Sequence, residues 1–352
     1  MNAAPEPRAI LIVRLSAIGD VVMAAPLACA LRDRYPAAHL AWLAQPGVAP
    51  LIEANPAVDE VIPCPLERWR RQLRSREAAG ALREIWALGR RLRARRFDWA
   101  IDIHGLLKSA IWVGASGAPQ RIGLAGGEGT RLFLTRSVPR DRNDPRLASE
   151  YRAMAAALGL DPAAFRGGLA PGAAARAAAA RWRTEAGIGG RPFAVLCPFT
   201  TRPQKHWRTA SWVRLARGLE RASGVVPVVL GGPDDVAAAE AIAAAAGGAT
   251  VSAAGRLRLV ESAALIGQSR LLIGVDTGLT HMGHALAVPT IALFGATRPY
   301  LDTGRPASHV IYHPLNCSPC RRRPSCGGAY SCMHGIGVDE VLMAARALGT
   351  AA

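Results

Sequence analysis

No apolar run in this 352-residue chain approaches the roughly 18 consecutive residues that a spanning helix requires, so no membrane-crossing segment is expected. The amino-terminal stretch MNAAPEPRAILIVRL runs directly into a strand-like segment instead of a leader with a cleavage site, and the expectation is a cytoplasmic protein. Carboxylates are in short supply. Against 43 Lys and Arg there are 26 Asp and Glu, a net charge of +17, which favours an anionic partner: nucleic acid, a phosphorylated substrate or an anionic membrane surface. The chain has no Walker A lysine loop, and no G-x-G-x-x-G at its first turn, which removes P-loop NTPases and standard dinucleotide enzymes from consideration. No short-period repeat is present. The seven cysteines are an odd number, and Cys29, Cys64 and Cys197 stand singly in apolar surroundings as free buried thiols would.

What is present suits a well-packed α/β protein: half of the residues are hydrophobic and 36 are glycine. The length predicts two domains. In the first half, strand-like runs (AILIVRL, HLAWLA, VDEVIPC, FDWAIDI) alternate with helix-like ones, including a single Arg-rich helix. A looser stretch over 167–192 contains an Ala/Arg helix bounded by Gly and Pro, a plausible joint. A second alternation follows: FAVLCPF, helix 209–222, VVPVVLGG, helix 234–246, LLIGVD, helix 279–286 and TIALFG. Residues 1–170 and 171–335 are thus expected to be two doubly wound, Rossmann-like domains with helices on both sheet faces, and ligands are expected in the cleft between them, at strand carboxyl ends. Residues 336–352 are expected to form a helix that packs back toward the N-terminal domain.

Four loops fall where strands should end: 16–20, 102–110, 198–207 and 274–281. In the last, Asp276, Thr277 and Gly278 stand between an apolar strand and a helix, where free amides and the helix dipole favour a phosphate, although Asp or Thr at such a turn also reads as an N-cap. The third adds Thr200, Thr201 and Lys205, donors suited to a diphosphate. Asp20, at the start of the first helix, reads either as a cap or as a general base in a transfer reaction with a phosphate leaving group.

The stretches RLSAIGDVVMAAPLACALRDRYP, DIHGLLKSA, TTRPQKHW and GVDTGLTHMGHALAVPTIALFGAT, in this order, resemble glycosyltransferase family 9, the ADP-heptose:lipopolysaccharide heptosyltransferases, over nearly the whole chain. The KHW and VDTGLTH forms resemble most the branch that adds the first heptose to the lipid A inner core. The resemblance implies a GT-B fold, with the acceptor bound mainly by the first domain and the ADP-sugar by the second. It places the catalytic carboxylate on Asp20, which would take the proton of the acceptor hydroxyl in a single inverting displacement. Lys205, Thr200, Thr201 and the amides of Thr277 and Gly278 would stabilise departing ADP, with no metal and no cofactor beyond the ADP-heptose substrate. It further implies Asp235 near the ribose, Leu257 beside adenine, Asp276 and His281 on the donor side, and Ser16, Gly19, Arg68, Arg70, Arg71, His104, Lys108 and Arg121 on the acceptor side. His104 departs from the family's more usual QGL.

Residues 67–96 carry eleven arginines against Glu67, Glu77 and Glu84. Such a run is either a solvated face or a contact with an anionic acceptor or membrane; Trp69, Trp86 and Trp99 punctuate it as at a membrane interface, and no nucleic-acid recognition motif accompanies it. Cys317, Cys320, Cys326 and Cys332, spaced C-x2-C-x5-C-x5-C, form a structural group that could bind metal, pair or remain free thiols. The reading is an inverting heptosyltransferase at the cytoplasmic face of the inner membrane. A transferase of another sugar or core acceptor, and a nucleotide-sugar-binding regulator that would need no carboxylate at position 20, are the alternatives.

Overall fold

The structure, a computed structural model, describes residues 6–141, 143–320 and 323–350. The chain divides into one unit of Met1–Asp144 with Ala148–Ala170 and another of Pro145–Leu147 with Pro171–Ala352.

In the first unit β1 (Ala9–Val13), β2 (His39–Ala44), β3 (Glu60–Pro63), β4 (Trp99–Asp102), β5 (Gln120–Leu124) and β6 (Arg136–Val138) form a parallel sheet of order 3-2-1-4-5-6. Six helices accompany it: α1 (Ile18–Arg34), α2 (Ala49–Glu53), α3 (Leu66–Gln72), α4 (Ala78–Ala94), α5 (Leu107–Ser116) and α6 (Ser149–Ala157). Strand side chains alternate between two cores. Ile10, Ile12, Trp42 and Ile101 pack with α1, α2 and α6, whereas Leu11, Val13, Leu43 and Ala100 pack with α3, α4 and α5. Burial on both faces is why these strands read as continuous apolar runs.

The second unit repeats the winding. Its strands β7 (Phe193–Cys197), β8 (Val226–Val229), β9 (Val251–Ser252), β10 (Leu271–Val275), β11 (Thr290–Phe294) and β12 (Ser308–Tyr312) lie in the order 12-11-10-7-8-9. The helices are α7 (Ala173–Glu185), α8 (Thr209–Ser223), α9 (Val236–Ala246), α10 (Leu259–Gly267), α11 (Gly278–Ala285), α12 (Ser331–His334) and α13 (Val338–Ala345). In each sheet the winding reverses between two central strands, β1 and β4 in one and β7 and β10 in the other. Crevices at the carboxyl ends of such strand pairs are where doubly wound sheets hold ligands.

Two local features depart from expectation. The Arg-rich segment is two helices, because the Ser75 hydroxyl donates to the Gln72 carbonyl (2.9 Å) and accepts from the Glu77 amide (3.2 Å), competing with the helical ladder between α3 and α4. Of its three tryptophans only Trp86 is exposed. Trp69 is buried against Trp112 and donates to Glu84 (2.7 Å), and Trp99, a β4 residue, meets the Tyr35 ring edge-on. At the carboxyl end, Val338, Val341 and Ala345 of α13 enter the second unit's core, where α13 packs on α8. Residues 351 and 352 of the expected C-terminal helix lie outside the described residues.

Candidate active site

The carboxyl ends of β1 and β4 carry the first group of functional side chains. After Val13, the chain buries Arg14 and Leu15 before α1 begins with Ala17 at its N-cap, a residue with no side chain able to cap. Asp20 lies in the first turn of α1, and its half-exposed carboxylate pairs with the buried Arg14 guanidinium. Arg14 also donates to the Ile103 carbonyl (3.0 Å) and lies over the Tyr151 ring (5.9 Å). Burial opposes its charge, but Tyr151, Asp20 and Glu150 more than offset this and hold its pKa above the ordinary value. Ser16 and Gly19 occupy the same turn, half-buried.

The second turn is organised by Asp102, fully buried at the end of β4. It accepts the amides of His104 (2.9 Å) and Gly105 (3.0 Å) and the Ser109 hydroxyl (3.1 Å), while burial raises its pKa. Gly105 has φ +69°, and a Cβ there would meet the Arg140 guanidinium and approach the Leu124 carbonyl at 3.2 Å. His104 is thereby buried with Nδ1 accepting the Leu15 amide (3.3 Å), which ties the two turns together. Burial, with Arg14, Lys108 and Arg140 nearby, lowers its pKa to about 3, so the ring is neutral with the proton on Nε2. The Lys108 pKa is lowered by burial and by the Arg70 and Arg14 charges.

On α3, Arg70 and Arg71 line an open recess of about 680 Å³ with Glu67 and Arg74. Arg68 instead pairs with Glu84. Arg121 is not brought to this edge: it lies in the amino-terminal half of β5, with its guanidinium donating to the carbonyls of Phe133 (2.9 Å) and Ala118 (2.7 Å).

In the second unit, the loops after β7 and β10 converge on Asp276. Its carboxylate accepts from Lys205 Nζ (2.6 Å) and the Thr297 hydroxyl (2.6 Å), and lies 3.3 Å from His281 Nε2. Burial would raise the Asp276 pKa, but the His281 hydrogen bond and the His281 and Lys205 charges hold it well below the usual carboxylate range. The buried Tyr300 hydroxyl lies 3.1 Å from His281 Nδ1 and steadies the ring from its other side. Gly274 permits this turn, since a Cβ there would collide with Thr280 Oγ1 and lie 2.8 Å from Cys197 Cβ. Thr280 in turn donates to the Val275 carbonyl (2.7 Å), fixing the entry to α11, where Thr277 is the N-cap and Gly278 the first helical residue. Amides at such a start are anion donors. Thr200 and Thr201 follow β7, and His206 Nε2 contacts the Thr200 carbonyl (2.9 Å). Asp235, after β8, accepts the Gly232 amide (2.8 Å), and Leu257, after β9, is half-buried.

Motif reading missed Arg14, Asp102, Thr297 and Tyr300. The signal for the first two was a charged residue closing an apolar strand; the last two belong to the loop after β11, where an uncharged Thr and Tyr lie outside the four loops read above. Cys317, Cys320, Cys326 and Cys332 are unpaired thiols, Cys332 packing in the core, and among the described residues no three His, Cys, Asp or Glu side chains are grouped to hold a metal ion.

Comparison with known proteins gives concordant matches. The model of "Glycosyltransferase family 9 (heptosyltransferase)" matches residues 85–330. Lipopolysaccharide heptosyltransferase 1 of Salmonella typhimurium is 30% identical over 305 residues, 84% of this chain and 90% of that protein. The structure of the Escherichia coli heptosyltransferase WaaC with ADP-2-deoxy-2-fluoro heptose aligns with a TM-score of 0.72 and 26% identity, covering 96% of this chain and 99% of WaaC. A family 9 glycosyltransferase of Veillonella parvula shares the fold with a TM-score of 0.84 at 22% identity, each chain covered to 99%.

Proposed function

We propose, since this chain belongs to glycosyltransferase family 9, that it transfers heptose from ADP-L-glycero-β-D-manno-heptose to the Kdo–lipid A inner core of lipopolysaccharide. The observation that carries the reading is Asp20: a carboxylate at the switch point of the first sheet, open to solvent on one side and anchored by buried Arg14 on the other. A cap would not need that anchor, whereas a base must keep its orientation. Asp20 takes the proton of the acceptor hydroxyl, whose oxygen forms a bond to the anomeric carbon as the bond to ADP breaks, and the configuration inverts. The negative charge that develops on ADP meets Lys205, the hydroxyls of Thr200 and Thr201 and the amides at the start of α11. With these donors the transfer uses no metal ion, and turnover should persist in excess chelator.

Arg70, Arg71 and Lys108 hold the acceptor's phosphate and carboxylate groups. Among the described residues no helix is long and apolar enough to cross a membrane, and we place the enzyme peripherally at the cytoplasmic face of the inner membrane, where its acceptor is anchored. Assignment to the first heptose rests on the 30% identity with heptosyltransferase 1. Incubation of purified protein with ADP-heptose and either heptose-free or monoheptosylated core, read by mass spectrometry, tests it. One heptose should be added to the heptose-free core. Addition to the monoheptosylated core alone would move the protein to another branch, and no product with either would count against transfer.

A further inference from the structure

Among the described residues, the large apolar side chains exposed in the first unit all fall between residues 73 and 132. They occupy neighbouring elements: α4 packs on α3 and α5, and α5 packs on the 3-10 turn Thr130–Phe133. Each element has a buried side already occupied, with Ala81, Leu88 and Leu92 of α4 and Trp112 and Val113 of α5 in the core below. The outward sides are also apolar. Leu82 and Trp86 stand one turn apart on α4, Leu107 and Ile111 one turn apart on α5, and Leu132 projects from the 3-10 turn with 86% of its surface exposed.

Arginines are interleaved with them. Arg90 lies over the exposed Trp86 ring at 4.7 Å, and Arg83, Arg93 and Arg131 are exposed with no carboxylate partner among the described residues. By contrast Arg91, on another side of α4, and Arg95, just past its end, are both committed to Glu60 (3.0 and 2.6 Å). Uncompensated charge therefore accompanies the apolar stripe, as well as the recess on α3. Protein–protein interfaces also use tryptophan and arginine, but a run of arginines without carboxylate partners, interleaved with leucine, isoleucine and tryptophan, matches the headgroup region of an anionic bilayer, where phosphates meet the cations and the apolar side chains enter the interfacial layer.

Topology adds a second argument. Because α4 leads into β4 and α5 leaves it, the start of each helix lies toward the carboxyl edge of the sheet. Leu82 and Leu107 are thus at the edge that also holds Asp20, Lys108 and the recess of Arg70 and Arg71.

We propose that the outer side of α4, α5 and the turn Thr130–Phe133 docks on an anionic lipid bilayer. Leu82, Trp86, Leu107, Ile111 and Leu132 enter the interfacial layer, and Arg83, Arg90, Arg93 and Arg131 meet lipid phosphates. This deepens the transferase reading by naming the surface that faces the membrane carrying the acceptor.

Vesicle flotation tests it with the full chain, using phosphatidylcholine alone and phosphatidylcholine mixed with phosphatidylglycerol. The wild type should float with the mixed vesicles, release as salt rises, and remain unbound with phosphatidylcholine. Leu82→Ser with Trp86→Ser, and separately Arg83→Gln with Arg90→Gln and Arg93→Gln, should each reduce binding at least tenfold with an unchanged melting temperature, all five positions being exposed. The same variants should transfer heptose to a soluble, delipidated acceptor at the wild-type rate. Absence of wild-type flotation, variants that float like wild type, or a wild-type dimer that the double serine variant dissolves would each overturn the proposal. Flotation needs no substrate, so a protein that floats as described but transfers no sugar would defeat the transferase reading and leave the docking surface standing.

Discussion

Arg14 and Asp20 form an ion pair across the β1–α1 turn, with the guanidinium buried and the carboxylate half-exposed. The pair is asymmetric, because Arg14 is fixed by the Ile103 carbonyl and the Tyr151 ring as well, whereas Asp20 has its other side open. Arg14 therefore orients Asp20. Replacing Arg14→Met should lower kcat by tenfold or more and leave ADP-heptose affinity unchanged, with Arg14→Lys falling between. Steady-state kinetics beside calorimetry of ADP binding checks this; a variant with normal kcat would separate the pair from turnover.

Lys205 holds Asp276 at 2.6 Å, yet an ammonium has three donors and can serve a phosphate as well. If Lys205 serves departing ADP as proposed, Lys205→Ala should cost about 1.5–3 kcal/mol of transition-state stabilisation, with weaker ADP binding. It also leaves the buried Asp276 carboxylate with one cation fewer, so the melting temperature should fall. An unchanged rate together with unchanged ADP affinity would remove Lys205 from the donor site.

The recess lined by Arg70 and Arg71 gives a charge-specific expectation. Arg70→Ala with Arg71→Ala should raise the acceptor KM strongly, leave the donor KM alone and flatten the salt dependence of acceptor capture, since salt weakens screened charge pairs. Arg68 is committed to Glu84, so Arg68→Ala alone should affect acceptor KM less. Equal salt slopes in the double variant and the wild type would place these arginines in a solvated face.

Two buried histidines make stability depend on pH. Burial lowers the pKa of both His104 and His284 to about 3. Between the unfolded value near 6.5 and the folded one, the unfolded chain binds more protons, so this stability is present above about pH 6.5 and is lost as pH falls. Each histidine contributes a limiting slope of about 1.4 kcal/mol per pH unit. Denaturant melts between pH 7 and 5 should show falling stability, and His104→Asn should remove one histidine's share of the slope.

Much of the fold is legible in the sequence because both sheets are parallel and covered on both faces, which turns β1, β7, β10 and β11 into plain apolar runs. The division of the Arg-rich segment was hidden because it depends on one hydroxyl, Ser75, bonding across a turn. Trp69 and Trp99 were unreadable for another reason: tryptophan beside arginine describes a membrane interface and a packed core equally well until burial is known. At the candidate site, Asp20, Lys205 and Asp276 stand in recognisable loops. Arg14 opens one of the stretches that carry the resemblance but at a strand end reads as a solvated charge, and Arg121 was expected on the acceptor side only from the resemblance, whereas the strand register puts it in the amino-terminal half of β5.

The most direct measurement on the proposed chemistry is turnover of Asp20→Asn, which keeps the size of the side chain and removes its basicity. With ADP-heptose and the heptose-free core, kcat should fall by about 10²- to 10⁴-fold while the Kd for ADP stays within a factor of two or so of wild type. A folded Asp20→Asn protein that turns over at close to the wild-type rate would contradict the assignment of Asp20 as the base.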